Sequence, residues 1–262
     1  MHSVIDIPWW RLALAAAFVG LLLAANWRLR LKLGRSLLTA SIRGPIQLLA
    51  VGYVITGIFT IDRPELVVGL LLVMLAVATQ TAVKRSPRRL PGLHTSMTLS
   101  LALGTVLSLV AMSEVIVVVD PWYDPQYLIP FGGMLLGNSM NGTALAGERF
   151  QEELRSHLAE IEARLALGFT AAESVHPMLI RSLRAALIPM INSLTVAGIV
   201  QLPGMMTGQI LSGTNPVIAV KYQILIYLLL LFAVAVSAGS LLLMLRRRYL
   251  TKAQQVRSEL LG

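Results

Sequence analysis

The chain has 262 residues, 56% of them hydrophobic and only 13% charged, with a formal net charge of +9. So much apolar surface excludes a soluble domain of this length and leaves a polytopic helical membrane protein. The basic residues fall in short clusters between apolar runs, which argues against a nucleic-acid partner, and the lack of cysteine removes disulfides and thiolate metal sites.

Seven spans are expected in chain order. The first, about Pro8 to Trp27, carries Trp9, Trp10 and Trp27 at its ends, where indole rings favour the membrane interface. Only Arg11 precedes its apolar core, so it reads as a retained span rather than a signal peptide. Arg28, Arg30, Lys32 and Arg35 follow. The second span, about Ser36 to Phe59, contains Arg43, Gly44, Pro45 and Gln47, which predict a kink. Asp62, Arg63 and Pro64 turn into a third span, about Glu65 to Val83, and the basic, proline-broken run Lys84 to His94 reads as a loop. The fourth span, about Thr95 to Val119, ends at an acidic, aromatic turn. The fifth covers about Tyr127 to Gly147, the sixth about Ala185 to Leu202, and the seventh about Val217 to Leu245.

Charge sets the orientation. Eighteen of the 22 Lys and Arg residues lie in the segments 28–35, 84–94, 148–184 and 246–262, which are expected inside. The N-terminus is then outside and the C-terminus cytoplasmic. Each span is long enough for a hydrocarbon core of roughly 30 Å at ~1.5 Å per residue.

The fifth span is apolar at its flanks and polar in its middle. Met134, Asn138, Asn141, Leu145 and Glu148 fall on one helical stripe, and Ser139 stands beside it. Gly133 and Gly137 form a G-x-x-x-G pair that would let a neighbouring helix approach closely. The stripe either lines a polar pathway for a hydrophilic solute or hydrogen-bonds between helices. Arg43, with Gln47 one turn on, sits at the same expected depth as Asn141. Arg43 either pairs with Asn141, Ser139 or backbone carbonyls, or extends to lipid phosphates. Glu114 lies near the outer edge of its span. Eleven methionines raise thioether ligation of a soft metal, but they have no dedicated ligand spacing and equally serve as core filler. No phosphate-binding loop or Ser/His/Asp arrangement occurs, so the chain is not expected to be an enzyme.

Between the fifth and sixth spans, Leu154, Leu158, Ile161 and Leu165 recur at helical spacing, with Glu160 and Arg164 paired on another face. Gly168 is placed to end that helix in a left-handed conformation, and Thr170 with Glu173 reads as a capping box opening the next. Two helices meeting at a sharp corner would present a short cytoplasmic element with Phe169 exposed at its tip.

That corner, EARLALGFTAAE, resembles the EAA loop of ABC-transporter permeases, with Glu162, Ala163 and Gly168 matching and Arg164 in place of the second alanine. The segments GMLLGNSMNGTALAGERFQEEL, RAALIPMINSLTVAGIVQLPGMMTGQILSG and NPVIAVKYQI resemble those of FetB-type iron-export permeases, whose plant relatives are linked to aluminium tolerance. The likeness runs from Arg35 to Arg247. It implies one transmembrane permease domain over residues 1–262, with a cytoplasmic helical elbow at about 148–184. It further implies an ABC transporter subunit of the cell membrane, assembled as a homodimer with two separate ATPase subunits and exporting iron or a related metal ion. ATP would be bound by the partner ATPase, with no cofactor in this chain. Glu162, Gly168, Phe169, Thr170 and Glu173 would couple to the ATPase, while Arg43, Gln47, Met134, Asn138, Ser139 and Asn141 would line the substrate pathway. The residues that touch the metal are left unassigned. An ion-coupled secondary transporter, an ABC permease for a non-metal solute, and a non-transporting scaffold stand as alternatives.

Overall fold

Long apolar helices dominate the computed structural model, which describes residues 7–30, 33–61, 63–86, 90–251, 253 and 255–257. Lys32, Asp62, Pro87 to Arg89 and Lys252, all counted above among the turns and basic clusters, lie outside the described residues. The chain divides into two compact units, one of Met1–Asp62 with Leu211–Gly213, the other of Arg63–Ile210 and Thr214–Gly262.

In the first unit, α1 (Trp9–Leu29) and α2 (Gly34–Ile61) form a helical pair. α1 stops where Arg30 turns left-handed at φ 52°. The Leu33 N–H donates to Asn26 Oδ1 at 3.0 Å. No residue of α1 is buried, and in α2 only Ile58 is. α2 continues through Pro45, and Arg43 and Gln47 are both exposed on it.

The second unit holds α3 (Pro64–Arg85), α4 (Leu93–Val110) with a π-helical turn at Ala111–Ile116, α5 (Pro125–Ser156), α6 (Leu158–Ala166), α7 (Ala171–Val196), most of α8 (Gly204–Leu211) and α9 (Pro216–Tyr249). Its helix starts follow local chemistry. Asp124 accepts from the Gln126 N–H at 2.8 Å to cap α5, and Asn215 accepts from the Val217 N–H at 2.9 Å to cap α9. Proline then occupies the first turn of both helices, where no N–H is needed.

Small residues set how closely these helices approach. Ser96, Ser100, Gly104 and Ser108 recur every fourth residue along the buried face of α4. A Cβ on Gly104 would collide with Ser237 Oγ and the Ala233 carbonyl of α9. α5 packs against α3, α4, α7 and α9. A Cβ on its Gly132 would strike Leu71 of α3, and one on Gly142 would sit 2.5 Å from Val234 Cγ1 of α9. Gly137 faces open space within 4 Å, and Gly133 has only the Met74 methyl at 3.1 Å. Close approach therefore runs through Gly132 and Gly142 instead of the expected Gly133 and Gly137 pair.

The largest apolar cluster gathers Met97, Phe150, Leu154, Ile161, Met178, Leu241, Leu245 and Tyr249 at the end of the unit that carries Arg85 and Arg246. Phe150 and Tyr249 meet edge to face with centroids 6.2 Å apart, a geometry that contributes about 1 kcal/mol beyond area burial.

The protein is an all-α, multi-pass membrane protein. By length and composition, α1, α2, α3, α4 with its π turn, α7 and α9 can each cross a membrane. α5 has the length, at 32 residues, but its polar centre and charged end make it less apolar than those six. The sixth span belongs to α7, which runs unbroken from Ala171 to Val196 through Pro177 and Pro189, so the helix opens well before the expected start near Ala185 and stops short of Leu202. Arg181 and Arg184 lower the apolar average of that region without interrupting the helix, because Arg181 is held by a carboxylate of α5.

Candidate functional site

α5, α7 and α9 enclose a cleft of about 160 Å³ lined by Asn138, Asn141, Gly142, Leu145, Ala186, Pro189, Met190 and Val234. Helical spacing on α5 brings Asn138 and Asn141 to the same opening, as the stripe predicts. The Asn138 side-chain amide donates to the Met134 carbonyl one turn back, at 2.9 Å, and so stays close to its own helix. Met134 is half-buried and joins the site through that carbonyl. Ser139 does not line the cleft: it is fully buried, and its hydroxyl has no hydrogen-bond partner among the described residues. Thr143 on the same helix is equally enclosed.

Asn141 has a partner that sequence reasoning missed. Arg85, in the last turn of α3, reaches it with Nη1 2.6 Å from Asn141 Oδ1. The next residue, Ser86, lies instead beside Gln151, whose amide donates to Ser86 Oγ at 3.2 Å. Two adjacent residues of the α3 end thus meet α5 at separate points, Arg85 at Asn141 and Ser86 at Gln151. The position of Arg85 in a basic, proline-rich run gave no sign of this.

The corner after α5 is built as its residues foretold. Gly168 has φ +90°, the conformation that only glycine adopts without strain, and the Phe169 N–H donates to the Arg164 carbonyl at 3.1 Å. Phe169 is 50% exposed. Thr170 Oγ1 accepts from the Glu173 N–H at 3.2 Å, while Glu173 Oε2 accepts from the Thr170 N–H at 2.8 Å and from its hydroxyl at 2.7 Å, a complete capping box. Leu154 and Ile161 are fully buried, with Leu158 and Leu165 packed against the same cluster. Glu162 points to solvent, whereas Glu160 pairs with Arg164 at 2.8 Å. A second cleft, about 400 Å³, opens beside this corner between Arg164, Ala172, Glu173, His176, Pro177 and Arg246.

A buried carboxylate joins the corner to the cleft-forming helices. Glu153 is 3% exposed, with Arg149 at 2.7 Å, Arg181 at 3.0 Å and His157 at 3.5 Å. Its neighbours Phe150 and Leu154 are both in the buried apolar cluster, and Leu154, which opens the stripe read from the sequence, was the available signal that it turns inward. Among the described residues, no three His, Cys, Asp or Glu side chains gather where a metal ion could be held.

The sequence model of an uncharacterised protein family, UPF0014, matches residues 9–250. A UPF0014 membrane protein of Synechocystis is 38% identical over 97% of this chain and 98% of its own length. The probable iron export permease protein FetB of Escherichia coli is 33% identical over 86% of each chain. The protein ALUMINUM SENSITIVE 3 of Arabidopsis thaliana is 30% identical over 93% of this chain and 89% of its own. No solved structure matches.

Proposed function

The chain belongs to the UPF0014 family of membrane proteins, and from that premise we infer that it is the permease subunit of an ABC exporter carrying iron or a related metal ion out of the cytoplasm. ATP is hydrolysed by a separate ATPase, which docks at the cytoplasmic corner around Glu162, Gly168, Phe169, Thr170 and Glu173. Two copies of the chain and two ATPase subunits make the working assembly, surrounded by membrane lipid.

One observation carries this reading. Two of the three helices that enclose the polar cleft also run into the corner: α5 enters it through α6, and α7 leaves it at Thr170. A push on Phe169 has a short, rigid route to Asn138 and Asn141 on one side and to Pro189 and Met190 on the other. The Glu153–Arg181 ion pair braces the two routes against each other. Two helices joined by a plain solvated connector would transmit little of that motion.

In this scheme α5 crosses the membrane as a seventh span, its polar face turned toward the pathway and away from lipid. The N-terminus is outside and the C-terminus cytoplasmic. The test is metal content in cells that carry or lack the chain together with its ATPase. Lower iron in the carrying cells is expected, and equal content would overturn the export role.

A further inference from the structure

The polar groups around the cleft divide unevenly into donors and acceptors. Asn141 Oδ1 is occupied by Arg85, and Asn138 Nδ2 is engaged by the Met134 carbonyl. What remains is the Asn138 carboxamide oxygen and the second lone pair of Asn141 Oδ1 as acceptors, against one Asn138 N–H, the Asn141 amide N–H groups and the unspent guanidinium N–H groups of Arg85. None of the ion pairs among the described residues includes Arg85. The lining contains no carboxylate, imidazole or thiolate. Those are the ligands that iron-group cations prefer, and a bare cation arriving here would meet a like charge.

We propose that this cleft receives an oxyanion, a carboxylate or phosphate group of the transported solute, with Arg85 as its binding group. Arg85 is exposed and does not line the cleft itself; its bond to Asn141, which does, sets the guanidinium beside it, and Asn141 offers its own N–H groups as further donors. A planar guanidinium anchored through one edge keeps the other free for a two-point contact with an oxyanion. The proposal rests on the permease reading. Under it the metal travels as an anionic complex with a carboxylate chelator and not as a free ion.

The test needs only the full chain in nanodiscs of zwitterionic lipid, titrated with citrate, ferric citrate, inorganic phosphate and ferrous ion alone. Citrate or phosphate is expected to bind with or without iron, and ferrous ion alone is not. Arg85→Gln should weaken anion binding by about tenfold or more, the loss of a charge-assisted contact. Arg85→Lys should retain part of it, and Asn141→Asp, which gives Arg85 an internal counter-ion, should remove it. Size-exclusion profiles establish that each variant is folded, and the Lys variant decides the question if the Gln variant is not. Saturable binding of ferrous ion that strengthens in Arg85→Gln, with no response to any added anion, would overturn the proposal. Repeating the titrations in phosphatidylglycerol nanodiscs separates the other source of a phosphate. If Arg85→Gln changes only the retention of that lipid, the oxyanion is a headgroup and the solute proposal fails. Binding requires no ATPase, so its outcome is independent of the cellular metal assay that judges export.

Discussion

Glu153 Oε2 lies 3.0 Å from Arg181 Nη1, so a carboxylate buried on α5 is neutralised from α7 by a side chain that still reaches water. The pair ties together two of the three helices that enclose the cleft. Glu153→Leu should lower the unfolding midpoint, because Arg149, Arg181 and His157 lose their common acceptor, at a cost of about 1–3 kcal/mol. Arg181→Ala should cost less, since Arg149 and His157 remain on the carboxylate. Thermal unfolding in nanodiscs compares the two, and equal losses would place the energy in Arg181 alone.

Two glycines of α5 should respond in opposite ways. Gly142→Ala forces a Cβ to within 2.5 Å of Val234 Cγ1, and relieving that overlap should cost about 1–3 kcal/mol. Gly137→Ala meets nothing within 4 Å and removes a flexible residue from a helix, a gain of up to about 1 kcal/mol. If both variants lose stability alike, a partner already covers the Gly137 face. Cross-linking through a cysteine placed at position 137 would then identify a second copy.

Asn141→Leu should abolish metal efflux while leaving insertion intact. The substitution removes both the acceptor for Arg85 and the polarity of the cleft. Normal efflux by this variant would remove the cleft from the transport route.

The corner offers a separate test of coupling. Gly168→Val places a branched residue at φ +90°, and Phe169→Ala removes the half-exposed ring at the tip. Both should insert normally and lose ATPase co-purification and solute-stimulated ATP hydrolysis. Thr170→Ala should cost about 1 kcal/mol of helix stability with a smaller loss of coupling. Full coupling in the first two variants would move the docking site elsewhere, with the cleft at Arg164, His176 and Arg246 as the next surface to alter.

Orientation is checked with reporters. One fused after Gly262 should be cytoplasmic and one fused before Met1 external, as the basic clusters require. An external C-terminal reporter would reverse the placement of the corner.

Features written in local residue patterns were the legible ones. The apolar runs gave six membrane-length helices, the Thr170 and Glu173 spacing gave the capping box, and the Leu154, Leu158, Ile161, Leu165 rhythm gave the packed face of the corner. Features that depend on a distant partner were hidden. Arg85 finds Asn141 across 56 positions of sequence, and composition shows only one more member of a basic run. Arg181 hid the continuity of α7 with the helix that opens at Thr170, because its counter-ion sits 28 positions earlier. The G-x-x-x-G spacing identified the right helix and the wrong glycines, since spacing alone does not say which face meets a neighbour.

The length of α5 has a mechanical consequence. At ~1.5 Å per residue, about 26 Å of helix lies between Pro125 and Gly142 and about 21 Å between Gly142 and Ser156. It meets α9 through side chains near both ends, Tyr127 with Tyr222 and Phe150 with Tyr249, but its backbone comes close at Gly142, against Val234. A rod pinned near its midpoint turns like a balance beam: a displacement of one tip appears at the other with similar size and opposite sign. Were α5 to pivot there, closing the end near Ser156 would open the end near Tyr127 without any separate gate. Spin labels at positions 127 and 152, each measured against α9, would report distances that change in opposite directions.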